Sequence, residues 1–418
     1  MAVSFSGPEE TADLIVIGAG AAGLATAIFA VRQAPALRVI CLDGAARVGA
    51  KILVSGGGRC NVTNVEVTER DFWGGSSRVV RSVLRAFPAV NTVAFFAELG
   101  VQLHEEEDGK LFPDSNKARD VLNALLGALR QGRISLHNGQ RVQAVSREAD
   151  GFIVTATSCR YRAKAVALAT GGRSLPKTGS DGSGYGLAAA FGHGFVETTP
   201  ALVPLLLDGD RHATLSGVTH PARLRVRSKD PIDLDGALLW THVGVSGPVA
   251  LNASRHWHRA RLEGRPVEIG LNLCPGEHTE SLEAWLLEQA AARPRAQVAT
   301  VLSARLPAAV AAEWTRRLGL DAITVSHLTR DARRGLIRAL LATPLDIRDS
   351  RGYSFAEVTA GGVPLDEIDP GSMESRCCSG LFLVGEILDV DGRLGGFNFQ
   401  WAWSSAWVAG RAIAGRLA

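Results

Sequence analysis

The chain has 418 residues, 46% hydrophobic and 21% charged, with 45 basic against 42 acidic side chains. That length exceeds one compact core and calls for two or three domains, and a formal charge of +3 is too even to announce a nucleic-acid partner, although it does not forbid one. Six cysteines (Cys41, Cys60, Cys159, Cys274, Cys377 and Cys378) without Cys-x-x-Cys or zinc spacing argue against a disulfide framework or metal site, and for a reduced, cytoplasmic protein.

Residues 14–31, LIVIGAGAAGLATAIFAV, are uncharged and almost long enough to cross a bilayer. They lack a basic flank and carry Gly18, Gly20 and Gly23 at turn spacing, so no membrane association is expected. DLIVIGAG reads instead as a buried parallel strand and GLATAIFAVRQ as the helix after it. The turn between them is Gly18-x-Gly20-x-x-Gly23, with Ala21 and Ala22 opening the helix. A second apolar strand, LRVICLD, ends on Asp43, twenty residues past the last glycine. This is the dinucleotide fingerprint in its strand-turn-helix setting: the glycines admit a pyrophosphate to the helix N-terminus and the carboxylate binds ribose hydroxyls. An acid rather than an arginine argues against a 2′-phosphate.

Next comes SGGGRCNVTN, residues 55–64, where Gly56, Gly57 and Gly58 make backbone that neither helix nor strand favours. Successive glycine amides form an anion-binding concavity that needs no side chains. SRVVRSVLRAFPAVNTVAFFAELG reads as an exposed helical stretch, and residues 151–172 as a β-hairpin whose second strand runs into Ala169, Thr170, Gly171 and Gly172.

Residues 201–275 show short alternating runs such as ARLRVRS and GALLWTHVGVS, whereas 276–345 are Ala/Leu/Arg-rich with helical periodicity. They read as an inserted small β-barrel followed by a helical subdomain. THVGVSGP offers His242 and Ser246 on a glycine-bounded turn, either as substrate groups or as a plain surface turn. Residues 201–346 hold 18 basic and 15 acidic groups, so the whole net charge lies there. Arg223, Arg225, Arg227 and Lys229 alternate on one strand, and Arg316, Arg317, Arg330, Arg333, Arg334 and Arg338 crowd the helices. These mark a solvated face or, alternatively, a surface for an anionic substrate such as RNA.

From about residue 346 the chain returns to the first sheet. GLFLVGE stops at Gly385 and Glu386, where a carboxylate can accept bonds from ribityl hydroxyls. DVDGRLGGFNFQWAWSSAWVAGRAIAG is a glycine turn opening a long helix, whose N-terminal amides suit the pyrimidine edge of a flavin. An NAD domain is finished within its first half, whereas FAD is long and is gripped by distant segments, so FAD is the expected cofactor. There is no second strand-GxGxxG-helix unit and hence no dedicated NAD(P)H domain. The adjacent Cys377 and Cys378 read as coincidence, because a disulfide between neighbours closes a strained ring.

Taken together, GAGAAGLATA, GAKILVSGGGRCNVTN, GKLFPDSNKARDVLNALL, ALATGGRSLPKTGSDGSGYGLA, EVTAGGVPLDEIDPGSMES and GLFLVGEILDVDGRLGGFNFQWAWSS resemble the BaiN/YhiN-type flavoproteins, an aminoacetone-oxidase-like family of NAD(P)/FAD-dependent oxidoreductases, nearly end to end. The resemblance implies an α/β fold: a Rossmann-like, glutathione-reductase-like FAD-binding domain from residues 1–200 and 346–418, interrupted by the inserted subdomains. It places the triple-glycine loop against FAD, with Lys51 and Arg59 as donors and Cys60 and Asn61 close to the isoalloxazine. Val142, Thr170, Gly171, Gly385, Glu386, Gly396, Phe397 and Asn398 complete the implied cofactor set. Cys60, Arg59 and His242 are the candidate catalytic residues, Cys60 being either a proton donor or a packing residue. Three activities follow: NAD(P)H-driven reduction of an activated C=C bond in a small molecule or a uracil, amine oxidation releasing peroxide, or a flavin-bearing RNA- or ribosome-binding role with little turnover.

Overall fold

In the computed structural model, which describes residues 9–418 apart from Arg211 and Asp230, the first apolar run forms strand β1 (Glu9–Ile17), with Leu14, Ile15 and Val16 fully buried. A continuous apolar run, rather than an alternating one, suits a strand covered on both faces. The chain then enters helix α1 (Ala21–Gln33) and returns as strand β2 (Val39–Leu42), all of whose residues are buried. Residues 14–31 are thus strand, turn and core helix.

β1 runs parallel to β2 on one side and to the strand Arg160–Leu168 on the other. Beyond β2 lies the parallel strand Ser135–His137. The strand Arg160–Leu168 also pairs in parallel with Leu381–Leu383, and carries an antiparallel meander of Gly151–Ala156 and Val142–Glu148, making seven strands in all. The registers fix the functional edge. Ile17 lies opposite both Leu42 and Leu168, and Leu168 lies opposite Leu383. Four parallel strands therefore end on one line, and Gly18, Asp43, Ala169 and Val384 leave the sheet side by side. Ligands of open α/β sheets bind outside such carboxyl ends.

The C-terminal helix, Phe397–Leu417, packs on α1 so closely that a side chain at Gly410 would meet Phe29 Cβ at 2.8 Å and Ala30 N at 2.9 Å. The stretch expected to be an exposed helix is two helices, Ser77–Ala86 and Ala89–Glu98, broken at Phe87 and Pro88. They are not surface elements throughout: Val80, Val83, Leu84, Phe95 and Phe96 are in the core. Their combined length and hydropathy would also suffice to cross a membrane.

The chain divides into two units, Met1–Pro200 with Glu357–Ala418 and Ala201–Ala356. The second extends to residue 356 rather than 345, because Ile347–Ser350 pairs with Leu205–Leu207 inside it. Where a small barrel was expected, seven antiparallel strands follow one hydrogen-bonded path from Thr343–Leu345 to Ile347–Ser350. Only Asp346 separates these two end strands in the chain. The division at residue 275 does not hold either. A helix, Pro248–Leu262, sits within the region read as strands, and one hydrophobic cluster joins Leu224 and Trp240 of the sheet to Trp314 and Leu336 of the helices.

Candidate functional site

The three fingerprint glycines have different physical reasons. A Cβ at Gly18 would stand 2.4 Å from Ala169 O, and one at Gly23 only 1.8 Å from Gly18 O, so strand and helix packing forbid both. A Cβ at Gly20 would meet nothing within 4 Å. Gly20 is the N-cap of α1, which has no acid in its first turn and no side-chain cap. Its first amides thus face open space as an anion site, with the helix dipole behind them. Asp43 follows β2 as expected, accepting from Ala19 N at 2.7 Å and Ala45 N at 2.8 Å. A carboxylate offers about four lone-pair sites, so acceptor capacity remains for ribose hydroxyls.

The glycine loop starts as a helix, α2 (Ala50–Gly58), and unwinds at Ser55, after which Gly56, Gly57 and Gly58 take φ of 53°, 68° and 86°. Cys60 follows at φ 64°, a left-handed conformation uncommon for a side chain with Cβ. Its thiol is fully buried, and burial pushes its pKa up to about 12, with a hydrogen bond from Ser55 opposing. This full burial suits the packing alternative for Cys60. Arg59 follows the last glycine of the loop. Its guanidinium binds Glu106 Oε1 at 2.6 Å and lies over the Phe112 ring at 4.0 Å. Asn61, with its carboxamide oxygen toward Gly396 N at 3.1 Å and its nitrogen toward Leu111 O and Thr63 O, ties the loop to the C-terminal helix.

Lys51 meets Glu386. Lys51 Nζ donates to Glu386 Oε2 at 2.5 Å and to Ser174 Oγ at 2.6 Å, while Glu386 Oε1 accepts from Ser174 Oγ at 2.8 Å and from Thr359 N at 2.9 Å. Three donors from three segments thus hold the carboxylate expected to receive ribityl hydroxyls. Sequence reasoning missed Ser174 and Thr359, although both lie in quoted motifs, RSLPKTGS and EVTAGGV.

Other expected residues are distributed as follows. Thr170 Oγ1 and Ser180 Oγ are buried without a hydrogen-bond partner, just past the strand Arg160–Leu168. Gly171 sits at φ 71° facing that Ser180 hydroxyl. Val142 lines a pocket of about 430 Å³ with Arg141, Ser183, Gly186, Leu187 and Ala190. Gly385 N donates to Ser405 Oγ at 3.1 Å, and Trp401 Nε1 donates to Gly385 O at 3.1 Å. Gly396 caps the C-terminal helix at φ 90°, which has no acid in its first turn. The Phe397 ring is fully buried and edge-on to Phe72. The Asn398 side chain clamps the Gly392 backbone, accepting from Gly392 N at 2.8 Å and donating to Gly392 O at 2.9 Å.

In the inserted unit, His242 is exposed at the hairpin turn between Ile232–Thr241 and Gly244–Ser246. Two of the four basic residues expected on one strand are paired: Arg223 binds Asp235 through two nitrogens at 2.7 Å, and Arg225 binds Asp233 likewise at 2.8 Å. Arg316 and Arg317 share Glu313, and Arg333 binds Glu283.

The open Gly20, the Asp43 carboxylate, the uncapped amides of α1 and the orphaned Thr170 hydroxyl fit an FAD molecule laid along the strand ends. Fold and site together define an FAD-dependent oxidoreductase. The chain belongs to the family described as HI0933-like protein Rossmann domain, which matches residues 12–412. It is 34% identical to the Clostridium scindens protein named 3-dehydro-bile acid delta(4,6)-reductase, over 96% of this chain and 98% of the relative. It is 32% identical to the ribosomal RNA dihydrouridine synthase of Escherichia coli, over 96% and 97%. The 3-ketosteroid-delta4-(5alpha)-dehydrogenase of Rhodococcus jostii RHA1 shares the fold, with a TM-score of 0.53 and 15% identity over 99% of both chains.

Proposed function

We propose that the protein takes electrons from NAD(P)H and saturates a carbon–carbon double bond conjugated to a carbonyl. One observation carries this reading: two relatives that match over almost their whole length are named for reductions of such bonds, in a bile acid and in a uracil. Unlike substrates with one shared chemistry point to the reaction class. When bound, FAD supplies hydride transfer. The α1 amides behind Gly20 would hold its pyrophosphate and Asp43 its ribose. Lys51, an ammonium with three donors of which Glu386 and Ser174 take two, keeps one N–H for a ligand. The pairing of Arg223 and Arg225 with aspartates supports a small enone over RNA as substrate.

Anaerobic stopped-flow absorbance in the flavin's visible band, with NADPH and NADH in turn, tests the electron source. Rapid bleaching followed by reoxidation with an enone supports the proposal. Reoxidation only by uridine-containing RNA moves the substrate to nucleic acid. Bleaching by an amine, with peroxide on admission of air and no response to either nucleotide, overturns it.

A further inference from the structure

In the first unit, away from the residues assigned to the cofactor, three turns bring together His193, Glu367 and Cys377, whose nitrogen, oxygen and sulfur ligand atoms all lie within 4.8 Å of one another. Cysteine spacing gave no sign of this, because the ligands come from distant positions and only one is a cysteine. The imidazole is held on both sides. His193 Nδ1 is 2.7 Å from Glu367 Oε2, and its Nε2 is 2.8 Å from Ser375 Oγ. Ser375 Oγ in turn accepts from Cys377 N at 3.0 Å and Cys378 N at 2.9 Å. The ring is fully buried and Cys377 is exposed, so orientation is fixed from inside while access is from outside. Gly194 makes room: its N–H donates to Glu367 at 3.0 Å, and a Cβ there would stand 2.8 Å from Glu367 Oε1.

We propose that His193, Glu367 and Cys377 form a binding site for a borderline-soft divalent cation, Zn²⁺ first, with a further coordination position open to solvent. Imidazole, carboxylate and thiolate are the ligand types such an ion accepts, and three protein ligands with an open position is an established zinc arrangement. A second partner that orients the ligating imidazole, here Ser375, is a usual part of such sites. Among the described residues Glu367 has no Lys or Arg ion pair, only the imidazole. The step balances: the cation binds, one proton leaves from the Cys377 thiol, and the imidazole gives up its Nδ1 proton to solvent while Nε2 gains one, whose N–H Ser375 Oγ accepts in place of one of its two amide donors. The site is independent of the reductase reading.

The test uses the flavin-loaded protein, stripped with a chelator and titrated with Co²⁺ and then Zn²⁺. One Co²⁺ per chain should give ligand-field absorption to the red of the flavin, abolished by one equivalent of Zn²⁺, and Zn²⁺ should protect Cys377 from alkylation. Cys377→Ser, at an exposed position that leaves the fold intact, should weaken Zn²⁺ at least tenfold, and Cys378→Ser should not. Absence of stoichiometric Co²⁺ binding in the wild-type chain, or unchanged Zn²⁺ affinity in Cys377→Ser, overturns the proposal.

Discussion

Lys51 and Glu386 stand 335 positions apart in the chain and meet at 2.5 Å. With Ser174 and Thr359 they join the helix after the fingerprint, the strand end at residue 168 and the returning C-terminal segment in one hydrogen-bonded knot. Both side chains are partly shielded, with 27% and 18% of their surface exposed. Glu386→Ala removes the acceptor of three donors and leaves Lys51 without its counter-charge, keeping only Ser174 Oγ. The expected loss is about 2 kcal/mol of stability, the scale of a hydrogen bond to a charged group, together with weaker FAD retention. Denaturant unfolding at fixed FAD checks it; a Cm equal to the wild type would show the knot to be energetically idle.

Gly20 separates cofactor geometry from fold geometry. Because a Cβ there meets nothing of the protein within 4 Å, Gly20→Val should fold, at a cost of about 1 kcal/mol for an unfavourable N-cap residue, yet emerge colourless. Gly18→Val, blocked by Ala169 O at 2.4 Å and by φ 99°, should fail to fold. A yellow, stoichiometrically loaded Gly20→Val would refute the cradle.

The sequence made the strand-turn-helix around Gly20 legible because every determinant is local: a buried apolar run, turn glycines and an acid at fixed distance. The strands ending at Leu168 and Leu383 were also legible, from glycine punctuation after each run, but their alignment at one carboxyl edge came only with the register. Partner choice was not legible. The pairing of Arg59 with Glu106 and of the Asn398 side chain with Gly392 had no sequence signal, since hydrogen-bond direction depends on where distant backbone lies. The inserted unit was misdivided for a related reason: the helix Pro248–Leu262 begins directly after a strand, and its alternating flank masked the change of period.

Gln400 shows why the FNFQWAWSS stretch carries so many polar groups in a buried helix. Its Oε1 accepts from Thr63 Oγ1 at 2.6 Å and Thr92 Oγ1 at 2.8 Å, and its Nε2 donates to Phe87 O at 2.9 Å and Ser404 Oγ at 3.0 Å. Replacing it by Leu orphans two threonine hydroxyls beside the glycine loop, at a cost of roughly 2–4 kcal/mol. Chemical denaturation of Gln400→Leu measures this. The double change Thr63→Val with Gln400→Leu should recover part of the loss, since one hydroxyl is then no longer stranded; an equal or greater loss would place the cost in packing instead.

The inserted unit should weaken in acid through His258. Its Nε2 is 2.7 Å from Ser350 Oγ, and burial pushes its pKa down to about 4, with Asp349 opposing and Arg261 assisting. A histidine depressed in the fold is neutral there, while the unfolded chain binds a proton from about pH 6.5 downward. Between about pH 6.5 and 4 the unfolded state therefore carries the extra proton. Stability attributable to His258 is present above that window, is lost as pH falls through it, and stops falling once the native ring also protonates. From pH 7 to pH 5 the loss from this one group comes to about 2 kcal/mol. Urea unfolding at the two pH values, followed through the buried Trp240 and Trp314, gives the wild-type difference. His258→Asn, which keeps a polar group for Ser350 and cannot take up the proton, should shrink that difference by about the same amount; an unchanged difference would assign the acid sensitivity to other groups.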